Sequence, residues 1–157
     1  MAKLIETKTT IGDAASSAFS MIEELAEEMR EAFDNTPESL QSSAVGEARG
    51  EAADTLEGIS EVDVPEFLAD IAVVYSTPKY GKRGPSRRQR RDEAVTMLDA
   101  CTSVLEQEIP EAKLLEIIQE HKDQSLASLR EAIEELASEL TNAKDEADGV
   151  EFPGMFG

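Results

Sequence analysis

A short basic segment is the part of this sequence best suited to bind phosphate. Seven of the chain's 15 basic residues lie between positions 79 and 91, a window without any acidic residue. They are Lys79, Lys82, Arg83, Arg87, Arg88, Arg90 and Arg91. Clustered Arg and Lys release counterions from nucleic acid, and a guanidinium pairs with phosphate through two hydrogen bonds. The segment therefore predicts a nucleic-acid contact, with Tyr80 available to stack on a base.

The rest of the chain is strongly acidic and supports a different interpretation of the same segment. Outside the window, 8 basic residues face 34 acidic ones, and the whole chain carries a net charge of −19. Such a body repels nucleic acid and attracts basic protein surfaces. The alternative interpretation is that the acidity only maintains solubility or reflects a salt-rich habitat. We therefore expect the basic segment to pair with acidic faces of its own chain or of a neighbouring copy. A nucleic-acid contact and a solvated loop are the alternatives.

A row of glutamates follows one face of the first predicted helix. Its members are Glu23, Glu24, Glu27, Glu28 and Glu31, with Arg30 nearly alone against them. Regularly spaced carboxylates attract a basic partner and imitate the charge of a phosphate backbone, so the row is a candidate partner-binding surface. The alternative is an ordinary solvated helix face.

The C-terminal residues combine acidic and apolar groups. Glu151 and the acidic residues before it precede Phe152, Met155 and Phe156. Charge steers an encounter and aromatic anchors then fill a pocket, so residues 149–157 are predicted to be a flexible docking peptide. The alternative is that Phe152 and Phe156 fold back onto the helical body.

Residues for catalysis or metal binding are scarce. The single histidine, His121, has Ile118 where the Glu-x-x-His motif of di-iron bundles requires Glu. Cys101 lies in an apolar helical stripe, where it fits a buried hydrophobe, and nothing marks it as a partner of His121. No Gly-rich phosphate loop is present. We therefore expect a non-enzymatic protein that needs neither metal nor cofactor.

Helical periodicity defines the two longest predicted elements. Apolar residues at heptad spacing predict a helix from about Thr10 to Asn35. A second heptad run, Leu126 to Ala143, closes a long helix that starts at Pro110, reaches about Asp148 and has a stripe shift or hinge near residues 119–124. We expect these two seams to form a coiled-coil-like pair, within one chain or across a dimer.

Local start signals predict three more helices. Thr36 as N-cap and Pro37 as first helical residue open a helix to about residue 59, with a break near Gly46 as the alternative. The motif at 63–66 opens a short helix through Tyr75, although the β-branched residues 71–75 also suit a strand; we expect a helix because no partner strand is recognised. Residues 86–89 form a capping box that opens a helix to about residue 109.

Together these patterns predict an all-α fold. Only 4% of the 157 residues are aromatic, so aliphatic side chains must build the core, which favours helix-on-helix layers. We expect residues 1–148 to form an antiparallel bundle of four or five helices, followed by the flexible tail. With one cysteine, no signal-peptide pattern and no stretch of eighteen apolar residues, the sequence predicts a cytoplasmic protein without membrane contact.

One stretch of the chain points to a family. Asp-Val-Pro-Glu at 63–66 lies between two predicted helices, and Arg-Arg-Asp-Glu-Ala-Val at 90–95 opens the next. In this arrangement residues 51–105 resemble small acidic helical accessory proteins of tailed bacteriophages. The resemblance implies a protein made in an infected bacterium that binds host or phage machinery. The expected function is an acidic helical adaptor or inhibitor that binds a basic protein partner; a nucleic-acid-binding protein and a virion or scaffold component are the alternatives.

Overall fold

The chain folds as helices packed around one central helix, with a two-stranded ribbon at the side. The computed structural model describes residues 3–107 and 109–153. In chain order the elements are β1 (Leu4–Thr10), α1 (Ile11–Asp34), a 3₁₀ turn (Glu38–Leu40), α2 (Ala44–Glu57), α3 (Glu66–Ala69), β2 (Ala72–Pro78), α4 (Arg87–Glu106), α5 (Glu111–Glu120) and α6 (Leu126–Asp148). The protein is thus mostly helical, as predicted, but it is not the purely all-α bundle that we expected.

The central helix is α4. It packs on α1 on one side and on α6 on the other, while α2 packs on α1. Leu98 and Cys101 of α4 are fully buried, as are Leu25 of α1 and Leu140 of α6. In the described part of the chain, α6 therefore packs mainly on α4, and α1 packs on α2 and α4 rather than on α6. The predicted coiled-coil pair does not form within one chain, because α4 occupies the space between the two seams.

The short helix predicted from the motif at 63–66 through Tyr75 is correct only at its start, as α3; its second half is wrong, because residues 72–75 belong to β2 of the ribbon. β2 pairs antiparallel with β1, and Thr7 lies opposite Tyr75 at the centre. Val73 and Thr77 are buried on the face of β2 that packs towards α4. The missed partner strand, Leu-Ile-Glu-Thr-Lys-Thr-Thr, is rich in β-branched residues, which favour a pleated backbone.

Several predicted helix boundaries are confirmed. Thr10 caps α1, and its side chain accepts a hydrogen bond from the Asp13 amide. The capping box of α4 is present in both directions between Ser86 and Gln89. Proline precedes the first residue of α3 and of α5, as expected. Since these signals act within one helical turn, they do not depend on the tertiary fold.

Two predicted helices are divided in the structure. Thr36 does not cap a helix; its hydroxyl donates to the carbonyl of Ala32, and α2 begins later with Ser43 as its cap. The alternative prediction, a helix interrupted near Gly46, therefore agrees better with the structure, although the interruption lies at residues 41–43. The long C-terminal helix likewise consists of α5 and α6, separated by His121–Ser125, which agrees with the expected interruption. Ser125 caps α6 and makes a new helix start there.

Candidate functional site

The basic segment divides into residues that are used inside the fold and residues that are not. Arg87 and Arg90, on the first turn of α4, both donate to the carboxylate of Glu28 on α1. The Arg90 Nη2 to Glu28 Oε1 distance is 2.8 Å, and the Arg87 Nε to Glu28 Oε1 distance is 3.4 Å. These bonds hold the start of α4 against α1. This part of the segment pairs with an acidic face of its own chain.

The ion pair between Glu28 and Arg90 shifts the pKa values of both groups. The hydrogen bond from Arg90 lowers the pKa of Glu28, and the same bond raises the pKa of Arg90. A carboxyl whose pKa is lowered by folding stabilises the folded state above its unfolded pKa, here near 4.5, and loses that contribution as the pH falls through the lowered value. The contact between α1 and α4 is therefore sensitive to acid.

Arg91 has a separate structural role. Its side chain is buried, with 7% of the residue's surface exposed, and its Nη1 atom donates to the carbonyls of Ala147, Asp148 and Val150 at 3.3, 3.0 and 2.5 Å. These carbonyls lie at the C-terminal end of α6, where the last helical turn lacks intrahelical donors and the macrodipole favours a cation. Arg91 thus caps α6 from a neighbouring helix.

The remaining cations of the segment stay on the surface. They are Lys79, Lys82, Arg83 and Arg88. All four are exposed, and no ion pair to them exists within residues 3–107 and 109–153. Four basic side chains are therefore available to an external anion, rather than the seven that the sequence predicted.

The glutamate row of α1 is also divided. Glu28 faces the arginines of α4, while Glu24 and Glu31 are exposed. Glu23 and Glu27 are exposed as well and line a surface groove along the edge of the same helix face. One of the five carboxylates is therefore used inside the fold and the other four stay exposed, so the role of the row as a partner-binding surface or as a mimic of a phosphate backbone stays a prediction.

The groove is formed by α1, the last residues of α2, the α2–α3 connection and α6. It consists of two adjoining depressions of about 640 and 450 Å³, which share Ile59 and Glu61. Its floor is apolar, and its larger depression lies between residues 58–65 and one side of α6. The apolar residues that line it are Phe19, Ile22, Ala26, Leu56, Ile59, Val62, Pro65, Ala132, Leu136 and Ala143.

The walls of the groove are acidic. Its lining includes Glu23, Glu27, Glu57, Glu61, Asp63, Glu135, Glu139 and Glu146, and it includes no Lys, Arg or His among the described residues. Glu57 is neutralised by Arg30, whose Nη2 lies 2.7 Å from Glu57 Oε1 and 2.5 Å from Asp54 Oδ1. This contact lowers the pKa of Glu57 and raises that of Arg30. The other carboxylates make no ion pair within the described ranges.

Sequence reasoning identified only two residues of this groove. Glu135, Glu139 and Glu146 repeat at helical spacing on α6, which is the same kind of signal that picked out the row on α1. Glu61 and Asp63 carry no such signal, because they belong to an irregular connection. The apolar floor looks like ordinary core in the sequence, since its residues continue the buried stripes of their helices.

The start of the predicted docking peptide lies on the protein body. Val150 is buried, and the ring of Phe152 packs beside Arg91, whose guanidinium carbon is 5.7 Å from the ring centroid. For Phe152 the structure therefore agrees with the alternative in which the residue folds back. Met155 and Phe156 lie outside the described residues. The predicted role of these two side chains stays a prediction.

The residues considered for other chemistry occupy structural positions. Cys101 is fully buried, and burial raises the pKa of its thiol to about 11, which keeps the thiol protonated at neutral pH. His121 ends α5 and contacts Phe67 edge-on. Within the described ranges, no three His, Cys, Asp or Glu side chains lie together as a metal site. None of the described helices is long and apolar enough to cross a membrane.

Glu93, near the start of α4, provides a test of the local electrostatics. Burial raises the pKa of its carboxyl, so the folded state binds its proton more tightly than the unfolded state does. The charged form therefore opposes folding above the raised pKa. We expect Glu93→Gln to stabilise the protein at pH 7, and we expect the gain to vanish as the pH falls below 4. Urea unfolding at several pH values will measure it.

Tyr80 gives an independent readout of the same substitution. Burial raises the pKa of Tyr80, and the charge of Glu93 raises it further. In a Tyr75→Phe background, where Tyr80 is the sole tyrosine, ultraviolet titration should show a lower Tyr80 pKa in Glu93→Gln, still above 10.0 because burial remains. An unchanged Tyr80 pKa would show that the two groups are not coupled.

Comparison with known proteins adds no assignment. No protein-family model, curated protein or solved structure matches this chain.

Proposed function

We propose that this protein is a non-enzymatic binding protein whose acidic groove receives a cationic, amphipathic segment of a partner protein. The observation that carries the proposal is the groove itself, in which an apolar floor runs between walls that carry carboxylates and no basic residue. An acidic surface alone would only attract cations. The larger depression adds a concave shape and three partly exposed apolar residues, Val62, Pro65 and Ala132, which offer a specific, dehydrated contact.

The two parts of the groove support different steps of binding. The net charge of −19 and the acidic walls raise the rate at which a basic partner approaches. Apolar side chains of the partner then contact Val62, Pro65 and Ala132, the partly exposed apolar residues of the larger depression, and burial of this surface adds to the binding free energy. An amphipathic helix or an extended segment with alternating basic and apolar residues has this chemistry. An adaptor or inhibitor role follows if the bound segment belongs to a working enzyme or assembly.

The exposed part of the basic segment supports a second candidate function. Lys79, Lys82, Arg83 and Arg88 are accessible to a phosphate backbone. Four cations support salt-dependent binding of nucleic acid without sequence specificity. The strongly acidic body opposes this function, so we rank it below protein binding. The resemblance to phage accessory proteins stays a hypothesis that fits either function, since it concerns the setting rather than the ligand.

A charge-reversal experiment tests the groove. Glu135→Lys combined with Glu139→Lys changes the charge of the groove wall by four units. We expect this variant to lose a stoichiometric protein partner that the wild-type chain recovers from a lysate of the cells that make it, even after nuclease treatment. The loss follows because the steering field and the ion pairs at the wall are reversed. Pull-down with mass spectrometry measures it.

The control has the same charge change on the same helix. Glu134 and Asp145 are exposed residues of α6 that do not line the groove. The combination Glu134→Lys with Asp145→Lys should therefore keep the partner. Equal loss in both variants would mean that only net charge matters and would contradict the groove. Recovery that disappears with nuclease, or with Lys82→Ala and Arg83→Ala, would favour the nucleic-acid function instead.

A further inference from the structure

The outer edge of the β1–β2 ribbon is open and exposes apolar side chains. β1 contacts β2 and its own continuation into α1, whereas β2 is the strand that packs on α4. Leu4, Ile5 and Val74 are 62%, 47% and 51% exposed. A ribbon of only two strands is a weak unit, and an exposed edge strand is a template for pairing with another strand. The edge of β1 is therefore a surface on which a further strand can pair.

The register shows which backbone groups of β1 face outward. The Lys79 amide donates to the Lys3 carbonyl, and the Ile11 amide donates to the Ile71 carbonyl, at either end of the ladder. Hydrogen-bonded and non-hydrogen-bonded pairs alternate in an antiparallel ladder, so the odd-numbered residues of β1 bond to β2. The even-numbered residues Leu4, Glu6 and Lys8 direct their N–H and C=O groups to the open edge, and these groups have no backbone partner within the described ranges. The carbonyl of Thr10, the N-cap residue, belongs instead to the start of α1.

The same even-numbered residues carry the charges of the strand. Glu6 and Lys8 lie on the exposed face of the ribbon, opposite Ser76 and Val74 of β2. Neither residue makes an ion pair in the part of the chain that the structure describes. An antiparallel partner strand with a Lys opposite Glu6 and a Glu opposite Lys8 would complete this edge.

We propose that the partner is β1 of a second copy, paired about a two-fold axis at Thr7. Only registers that put even-numbered residues opposite each other satisfy the outward backbone groups. Among these, pairing Thr7 with Thr7 of the second copy overlaps the whole strand and places Glu6 opposite Lys8. The neighbouring allowed registers place Glu6 opposite Glu6 or Lys8 opposite Lys8, which like-charge repulsion disfavours. The product is a four-stranded sheet in the order β2–β1–β1–β2.

This surface is also suited to self-association by its charge. Two copies with a net charge of −19 repel each other over most of their surfaces. The ribbon departs from this pattern, because β1 carries one acid and one base and is flanked by Lys3 and Lys79. The inference is independent of the acidic groove, which is formed by other elements of the chain.

Charge swaps in β1 test both the partner and the register. We expect the wild-type full-length chain to be dimeric in sedimentation velocity at about 0.15 M salt, where screening limits the net repulsion. Glu6→Lys and Lys8→Glu should each weaken dimerisation about tenfold or more, because both cross-strand pairs become repulsive. An equimolar mixture of the two single variants should form a heterodimer, since every cross-strand pair is then opposite in charge. The double variant Glu6→Lys/Lys8→Glu should again form a homodimer.

The outcomes separate this proposal from other interfaces. Circular dichroism should show that the single variants stay folded, because both side chains are exposed and unpaired in the described structure. A wild-type chain that is monomeric up to about 1 mM would overturn self-pairing and leave the edge to a strand of another protein. Single variants that dimerise like wild type, or a mixture that does not form heterodimers, would equally overturn it.

A cysteine at the proposed axis provides a second measurement. Thr7→Cys should form an intermolecular disulfide under mild oxidation, because the two Cβ atoms of a directly opposed non-hydrogen-bonded pair lie within disulfide reach. The wild-type chain, whose single cysteine Cys101 is fully buried, is the control and should not cross-link. Val74→Cys, which is exposed on β2, should not cross-link because two β1 strands separate it from its symmetry mate. The reverse pattern would contradict the register.

Discussion

Replacing Arg91 with alanine will destabilise the protein by about 3 kcal/mol, the cost expected when buried acceptors lose a charged donor. The guanidinium donates to the carbonyls of Ala147, Asp148 and Val150, and alanine leaves these groups without that donor at the end of α6. The contact with the Phe152 ring is lost as well. Since α6 packs on α4 through this region, we expect cooperative loss of stability. Urea denaturation, compared at constant m value, measures it.

Arg88 is the matched control for this prediction. It lies on the same helical turn and carries the same charge, but it is exposed and makes no ion pair in the described part of the chain. Arg88→Ala should change stability by less than about 0.5 kcal/mol, as for most surface substitutions. Arg91→Lys should fall between the two, because an ammonium keeps the charge without the planar fork. If Arg91→Ala cost no more than Arg88→Ala, the capping role would be wrong.

The arginines at the start of α4 show how far local reasoning reaches. Cations in the first turn of a helix are unfavourable, and the sequence alone reveals that conflict. Glu28 compensates the conflict for Arg87 and Arg90, and the end of α6 compensates it for Arg91; both lie far away in the chain. The neighbouring carboxylate of Asp92 also pairs with Arg91. The sequence therefore predicted that part of the basic segment pairs with acidic groups of its own chain. The individual partners were not predictable, because they depend on how α1 and α6 pack on α4.

The ribbon was missed because its two strands are far apart in the sequence. β1 contains five polar residues among its seven, so a search for apolar runs passes over it. Its β-branched residues, Ile5, Thr7, Thr9 and Thr10, were a usable signal. Once β1 is recognised, the strand interpretation of residues 71–75 gains the partner whose absence led us to prefer a helix. Non-local strand pairing is the step that single-sequence periodicity does not supply.

The groove depends even more on tertiary structure. Its walls combine helix residues such as Glu27 and Glu139 with Glu61 of a connection that has no regular structure. Each helix alone shows an apolar stripe with acidic borders, which is the ordinary pattern of a surface helix. A groove arises because the irregular α2–α3 connection lies beside α1 and α6 and brings their acidic borders to the same surface. Sequence patterns predict the charge of this surface but not its shape.

Gly46→Ala will destabilise the protein by about 2 kcal/mol, although alanine is the better helix former by about 1 kcal/mol. Gly46 is buried in the first turn of α2, beneath the 3₁₀ turn. A Cβ atom built there would lie 2.6 Å from the Gln41 carbonyl oxygen and 2.8 Å from its carbonyl carbon, and it would also clash with the Leu40 carbonyl oxygen. These are backbone atoms, so relief requires the 3₁₀ turn to move away from α2.

Gly50 provides the comparison that separates packing from helix propensity. It lies one turn further along α2, where a Cβ atom would meet the Phe33 ring at 3.2 Å. A side-chain ring yields more easily than two backbone carbonyls, so Gly50→Ala should be clearly more stable than Gly46→Ala in thermal unfolding. If Gly46→Ala were more stable than the wild-type chain, helix propensity would dominate at this junction. The close contact between the 3₁₀ turn and α2 would then not require glycine.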